Sequence, residues 1–505
     1  MKLTVHFTLL WGWLLSVFPA LAFGQMYSAV QGIQNSNPLC LIFENFTASN
    51  ATCGTSSQNK DCYSLSPGGQ EWVTIQQQGG WISLNFQASS YDVIKKTCNK
   101  DNLGGINISF SDDGKPPRVT TYNNEQTKVY TVNQQNKLYG LYFFPTVVPT
   151  FPTPSSYTSV PYRGINLSGA EFDAPSDSVP TAYDAWYFIQ CGMNTVRIPF
   201  RWEYLQPPSQ LNTAINFNQG YGKQLIDLVK ALVAAKIVVI LDMHNYMRYP
   251  LNAGSIDGPI IGLNSKATVN DYANAWQQIA TQLVQANVDS NYVMLDLMNE
   301  PWSSSTSSLP TPTILANYNA AMVAIRETGF RGLLLLEGNA FSGALDWSKN
   351  YYGIPNSQVF VPSAIKDPLN NYAINVHQYL GPDQNPTTGI CISSTTLLSD
   401  KNFYTFVNWL KQYQLPAILT ETGGIPTSSC YSDIDVYLSA VEANPYQPGI
   451  GGFIGWLGWT GGHAWYLVSD NVSDKQLFIA PDTNGNERPQ MMQGFQKHLT
   501  STELK

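Results

Sequence analysis

The 505-residue chain is poor in charge: 27 Lys and Arg stand against 35 Asp and Glu, 12% of all residues, for a net charge of −8. No stretch collects the positive charge needed to neutralise a run of phosphates, which argues against nucleic acid as a partner. Histidine is scarcer still, with five in the chain. None of them, and no second Cys, sits at metal-ligand spacing, so no metal site is expected. The Gly-x-Gly-x-x-Gly fingerprint after an early strand is missing too, which disfavours an open dinucleotide-binding sheet and leaves no cofactor implied. Beyond the N-terminus no run approaches the ~20 apolar residues that span a bilayer. At 43% hydrophobic the chain is nevertheless far from the composition of a disordered protein. Its polarity comes from Ser, Thr, Asn and Gln, interspersed with 28 Tyr and 13 Trp. Such a surface suits a neutral, hydroxyl-rich ligand.

The first 24 residues read as an export signal: Lys2 supplies a positive start, Leu9 to Phe18 a short apolar stretch, and Ala20, Ala22 and Gly24 a small-residue cleavage region. A secreted, extracellular protein without a membrane anchor after cleavage is expected. Export gives meaning to the cysteines. Cys40, Cys53, Cys62 and Cys98 allow two disulfides in any of three pairings, and Cys391 with Cys430 could form a third. Cys191, among Trp186, Phe188, Ile189 and Met193, reads as a buried inert thiol. Asn-x-Ser/Thr sequons occur at Asn45, Asn50, Asn107, Asn166 and Asn471, of which Asn166 falls in an expected strand where a glycan would not fit.

Five prolines between Pro145 and Pro161 mark a stiff linker, taken as residues 146–160. Before it, residues 25–145 alternate in β-branched and aromatic runs (Glu71 to Gln76, Trp81 to Phe86, Ile106 to Phe110, Lys128 to Val132, Leu138 to Phe143), which points to a small all-β sandwich as an accessory module. After it, eight apolar runs begin at Tyr162, Thr195, Ile237, Tyr292, Gly332, Tyr372, Ala417 and Gly452, and helical spacing separates most of them, as in Tyr221 to Ala235, Val269 to Val284 and Leu315 to Glu327. Eight strands alternating with helices over residues 161–505 predict an α/β fold, a (β/α)8 TIM barrel.

In such a barrel a polar residue at the carboxyl end of a strand points into the mouth, where the chemistry is done. That rule selects Arg197 on strand 2, His244 and Asn245 after strand 3, Asn299 and Glu300 after strand 4, His377 and Tyr379 on strand 6, Glu421 on strand 7 and Trp456 on strand 8. Glu300 and Glu421, from nearly opposite strands, form the carboxylate pair that glycosidic cleavage needs, one protonated to assist the leaving oxygen and one ionised to attack the anomeric carbon. Arg197 and the Tyr379 hydroxyl can keep Glu421 anionic, which leaves Glu300 as the acid. Asn299 can donate to a sugar 2-OH, and Trp456 can offer its face to a pyranose. Asp242 and Asp296 lie before the strand ends and are discounted.

Asn299-Glu300-Pro301, Leu419-Thr420-Glu421-Thr422-Gly423-Gly424, His377-x-Tyr379 and His244-Asn245-Tyr246 together resemble glycoside hydrolase family 5, and within it the fungal-type endo-β-1,4-glucanases. The resemblance covers about residues 161–470. It implies a retaining mechanism with Glu300 as acid/base, Glu421 as nucleophile, and Arg197, His244, Asn299, His377, Tyr379 and Trp456 completing the site. It implies a β-glucan polysaccharide as substrate, acted on by a monomer. Pro259-Ile260-Ile261-Gly262 and Cys430 also resemble the cellulase subgroup, whereas Gly338-Asn339-Ala340-Phe341 carries phenylalanine where that subgroup has tryptophan. A β-mannanase, xyloglucanase or mixed-linkage glucanase with the same chemistry is the nearest alternative. A non-catalytic, lectin-like wall protein is the more distant one.

Overall fold

Strands covered on both faces have no solvent side to keep polar, so they appear in sequence as continuous apolar runs. The computed structural model shows eight of them: β1 (Tyr162–Leu167), β2 (Thr195–Phe200), β3 (Val238–Met243), β4 (Val293–Asp296), β5 (Leu334–Glu337), β6 (Tyr372–Tyr379), β7 (Pro416–Gly423) and β8 (Gly452–Gly461). They pair in parallel in chain order and β8 returns to β1, which closes the barrel. Residues 159–499 are described apart from 172–178, 253–254, 304–306, 351–352, 382–390, 392, 400–401, 426, 463–476 and 481–489; N-terminal to them only the backbone of a set of strands is described.

Closure depends on close backbone approach at two glycines flanking the β1 seam. A Cβ on Gly164 would lie 2.0 Å from the Thr195 carbonyl oxygen, and one on Gly455 would lie 2.4 Å from that of Tyr162. Helices α1 (Ala182–Gln190), α2 (Gly220–Ala234), α3 (Val269–Gln285), α4 (Thr311–Glu327), α5 (Phe403–Tyr413) and α6 (Ser428–Glu442) connect the strands, with only a short helix at Asn356–Val359 between β5 and β6. Helix α3 shows why they form. Thr268 and Asp271 make a reciprocal capping box at its start, and Tyr272, Trp276, Ile279 and Leu283 recur at helical spacing to give one buried stripe. The Tyr272 hydroxyl and the Trp276 indole both donate to the Leu297 carbonyl, at 2.5 and 3.1 Å, which anchors the chain just before Asn299-Glu300.

Inside the barrel the side chains fall into layers, because alternate residues of each strand point inward. The lower layers are apolar: Val238, Ile240, Met294, Leu335, Ala373, Ile418, Ile454 and Leu457 pack together, with Tyr162, Tyr292, Leu333 and Tyr446 against them. Two residues further along the same strands the chemistry changes to Asp242, Asp296, Glu337, Asn375 and Thr420, all fully buried. The functional site is built on this upper layer.

Two compact units divide the chain, the first essentially residues 1–149 and the second 150–479 with 488–504. In the first, Gln25–Ile33 pairs with Gln70–Gln77 and Leu138–Pro145, which pairs with Glu125–Asn133. Leu39–Ala48 pairs with Cys62–Leu65 and Trp81–Asp92, which pairs with Gly104–Ser111 and through it with Arg118–Tyr122. Face-to-face packing of those sheets and the side chains of Cys40, Cys53, Cys62 and Cys98 lie outside the described residues, as does the expected export signal apart from Thr4–His6, a strand paired with residues 72–74. Cys391 and Cys430 are bonded, joining the loop after β6 to α6, and Cys191 is buried. Asn166 is wholly buried in β1 and its amide donates to the Thr420 and Gly458 carbonyls, so this sequon is closed to a glycan. Among the described residues no helix is long and apolar enough to cross a membrane.

Candidate active site

Arg197, fully buried on β2, organises the mouth of the barrel. Its Nη1 donates to Glu421 Oε1 at 2.6 Å and to Asn166 Oδ1 at 3.0 Å, its Nε to Asp296 Oδ2 at 3.0 Å, and its Nη2 to Asn299 Oδ1 at 2.8 Å and Glu337 Oε1 at 3.2 Å. Asp242 Oδ2 lies 3.1 Å from the same Nη2. One cation therefore touches four carboxylates. Asp242 and Asp296, the two discounted by sequence, support Arg197 from inside the barrel.

Glu421 owes its position to a break in strand alternation. Along β6 and β7, Val376 pairs with Leu419 but His377 pairs with Glu421, so Thr420 is an extra residue and both it and Glu421 turn inward. Glu421 Oε2 accepts the Tyr379 hydroxyl at 2.6 Å. Burial alone would raise its carboxyl, but His377, Arg197, His244 and the Tyr379 hydroxyl outweigh that and hold it below the ordinary glutamate value.

Glu300 follows β4 on a backbone with φ of 43°, a conformation uncommon for a residue with a Cβ. Its amide donates to Glu337 Oε2 at 2.7 Å, and the Asn299 amide before it donates to the Met243 carbonyl at 2.9 Å. The Glu300 side chain is 16% exposed, against 5% for Glu421, so it presents its carboxyl to the cleft. Glu300 Oε1 sits 2.7 Å from His377 Nδ1, and burial, with the nearby Glu421 carboxylate, raises the Glu300 carboxyl above its ordinary value against the opposing pull of His377. The two glutamates are thus pushed apart in acidity by their surroundings. Ligand atoms of Glu300, His377 and Glu421 lie within 4.8 Å of one another, close enough to surround a cation in principle. Each is already engaged, with Glu300 on His377, Glu421 on Arg197 and Tyr379, and the second His377 nitrogen 3.0 Å from Thr420 Oγ1, so the cluster satisfies itself by hydrogen bonding.

His244 is fixed as the neutral ring. Its Nδ1 faces Asp242 Oδ2 at 2.7 Å, its Nε2 faces the Asn299 amide at 3.2 Å, and burial lowers its pKa to about 4. Because Asn299 Oδ1 takes the Arg197 bond, its Nδ2 is turned to His244 and the cleft.

Two of the sequence-selected residues lie elsewhere. Asn245 is fully buried behind the site, where it accepts the Trp202 amide at 2.8 Å and donates to Glu203 Oε2 at 2.6 Å; it shapes the loop and faces no cleft. Trp456 is corrected outright. Strand β8 runs to Gly461, five residues past the run read from sequence, and Trp456 points outward, wholly buried, its indole donating to Glu442 at 2.9 Å with Phe495 and His498 packed against it. The tryptophan at the mouth is Trp459, which stacks on His244 with centroids 5.9 Å apart and planes 18° from parallel, and packs with Tyr379 and Leu477. Gly458, two residues past that run, resembles a strand breaker.

Sequence reasoning also passed over Glu337, at the carboxyl end of β5, and Trp302, immediately after Glu300-Pro301. Trp302 lies 5.6 Å from Phe341 with planes 10° apart, and the Arg248 guanidinium sits 4.5 Å over its ring. Phe341 is exposed, and Ala340, Phe341 and Ser342 have φ of 59°, 55° and 54°, three left-handed residues in succession that hold this aromatic pair at the rim. Adjacency to Glu300 was the signal that could have found Trp302.

Comparison with known proteins bears on the same segment. The chain is 30% identical over 327 residues to Endoglucanase 1 of Robillarda sp. (strain Y-20), covering 60% of this chain and 78% of that protein. It is 30% identical over 328 residues to Endoglucanase 1 of Saitozyma flava, covering 62% and 87% respectively. Among solved structures, XacCel5A in complex with cellopentaose superposes with a TM-score of 0.54 at 28% identity, over 66% of this chain and 97% of that one. The model of the cellulase family, glycosyl hydrolase family 5, matches residues 156–462, which spans the closed barrel and every residue of the carboxylate cluster, and the chain therefore belongs to that family.

Proposed function

We propose that the protein is a secreted endo-β-1,4-glucanase that cleaves internal bonds of cellulose-like chains with retention at the anomeric carbon. The observation that carries this reading is the pair of carboxyls whose oxygens approach within 4.8 Å. That close approach favours the ~5 Å spacing of retaining glycosidases over the ~6.5–9.5 Å by which inverting enzymes make room for a water. Glu421, held ionised by Arg197 and Tyr379, attacks the anomeric carbon to form a glycosyl-enzyme. Glu300, holding a proton against His377, gives it to the departing oxygen and then takes one from water. The Asn299 amide reaches the sugar 2-OH, Trp459 gives the ring a stacking face, and the rim pair Trp302–Phe341 extends the platform along the chain. The relatives' name, endoglucanase, and the cellopentaose bound to XacCel5A support the substrate, and the N-terminal Lys2 and Leu9 to Phe18 pattern supports export.

The test is a parallel assay of the protein and its Glu421→Gln variant on carboxymethyl cellulose and β-mannan, following viscosity and reducing ends. A rapid fall in viscosity on the cellulose derivative, absent from the variant, is expected. Activity on mannan alone would move the specificity while keeping the chemistry; full activity in the well-folded variant would remove Glu421 as nucleophile.

A further inference from the structure

Glu337 is wholly buried at the end of β5, and every polar neighbour offers it a hydrogen. Its Oε2 accepts the Glu300 amide at 2.7 Å, and its Oε1 accepts Asn375 Nδ2 at 3.0 Å and Arg197 Nη2 at 3.2 Å. The same Oε1 lies 3.2 Å from His377 Nε2. That ring nitrogen also faces Thr420 Oγ1 at 3.0 Å, and the Thr420 hydrogen is committed to Asn375 Oδ1 at 2.6 Å. Both partners of Nε2 are thus acceptors, so Nε2 carries a hydrogen. The opposite nitrogen, Nδ1, is 2.7 Å from Glu300 Oε1. A ring nitrogen and a carboxyl oxygen at that distance share one proton, residing either on Glu300 beside a neutral ring or on an imidazolium beside a Glu300 carboxylate.

We propose that Glu337 is the positioning residue that governs this shared proton, and with it the pH range over which Glu300 acts as an acid. The inference rests on the reading of Glu300 as acid/base. The titratable and charged groups around the pair are Arg197 on β2, Asp242 on β3, His244 and Tyr246 after it, Asp296 on β4, Glu337 on β5, Tyr379 on β6 and Glu421 on β7. Among the described residues Glu337 alone is bonded at both ends of the pair, to the Glu300 backbone and to the far nitrogen of His377. A negative charge there favours keeping the pair's proton, so the pair holds it to higher pH. Burial, with Asp296, pushes the Glu337 carboxyl up to about 7 against His377 and Arg197.

Glu337→Gln keeps the shape and an acceptor for the Glu300 amide while removing the charge. The expected result is that the basic limb of kcat/KM on a soluble cello-oligosaccharide moves about one pH unit lower, with a matching fall of the His377 imidazole pKa read by NMR. A rate that falls uniformly with both pKa values unmoved overturns the proposal and leaves Glu337 a structural residue. Should the variant not fold, 15N shifts of the parent's His377 decide: Nε2 must keep its hydrogen as the pair titrates, and loss of that hydrogen first overturns the proposal. Glu300→Gln separates the two readings. On an aryl cellobioside with a good leaving group it should retain activity and lack the basic limb; a limb that persists strikes the acid/base reading, whereas a limb lost there but unmoved in Glu337→Gln strikes only the role of Glu337.

Discussion

The lower and upper halves of the barrel interior are made by the same strands two residues apart, and they solve opposite problems. Below, Ile240, Met294, Leu335, Ala373 and Ile418 fill space with no polar atom to satisfy. Above, Asp242, Asp296, Glu337, Asn375 and Thr420 are equally buried but carry polar atoms that need partners; the three carboxylates converge on a single guanidinium, while Asp242 Oδ1 and Asp296 Oδ1 are left without a hydrogen-bond partner among the described residues. Apolar packing tolerates small errors at a modest cost, whereas a buried charge cluster is stabilising only when complete. The lower half should therefore govern whether the barrel folds and the upper half what it does once folded.

The sharpest way to break that division is Glu421→Gln, expected to lower kcat by about 10⁴-fold, ~5.5 kcal/mol of transition-state stabilisation, with Tm nearly unchanged. A collapse of Tm on this near-isosteric change would show that the upper layer carries the fold as well. The converse is Leu335→Ala, which empties part of the lower layer and should cost about 3 kcal/mol of stability while activity per folded molecule stays within about twofold, as denaturant unfolding beside active-site titration would reveal.

The two tryptophans of β8 sharpen the comparison at a single strand. Trp459→Ala should reduce kcat/KM by about 10–100-fold, because its ring stacks over His244 at the mouth, and should also cost about 3 kcal/mol of stability, because that ring is buried against Tyr379 and Leu477. Trp456→Phe should leave kinetics alone and cost about 2–3 kcal/mol, since it removes the indole bond to Glu442 and leaves a cavity beside Phe495 and His498. Reversal of the pair would restore Trp456 to the site.

The smallest expected effect is on pH. Glu421 must be ionised, and its pKa is depressed, so activity should persist below the ordinary glutamate range and fail as pH drops through the lowered value. The Glu300–His377 pair must hold its proton, and Glu300 is raised, so the other limb falls above the ordinary range. The two limbs are macroscopic values of coupled groups, and a pH–rate profile measures them. A profile narrower than that of two unperturbed glutamates would contradict the separation.

Much of this was legible beforehand because it follows from local pattern. All eight strand runs were visible as β-rich, largely apolar segments, and β1 and β2 were read residue for residue. Arg197, Asn299, Glu300, His377, Tyr379 and Glu421 were selected by the rule that strand ends face the mouth. Glu337 escaped because the apolar run of β5 was read as ending at Leu336, which made the next residue look like loop. Trp459 escaped because Gly458, just past the run read as ending at Trp456, resembles a strand breaker, although the barrel packs Phe495 closely against it.

What the sequence determined by itself is therefore the barrel, the family and the identity of the opposed carboxylates, all of which follow from residue type, periodicity and short motifs. Only the tertiary structure decided which way side chains face where the alternation breaks. An extra residue in β7 turns Glu421 inward where strict alternation would send it out, and the length of β8 puts Trp459 at the mouth and Trp456 against α6. The acidity of each carboxyl was likewise beyond sequence. It depends on how many donors and charges from strands up to 224 residues apart converge within hydrogen-bond reach, and only barrel closure brings them there.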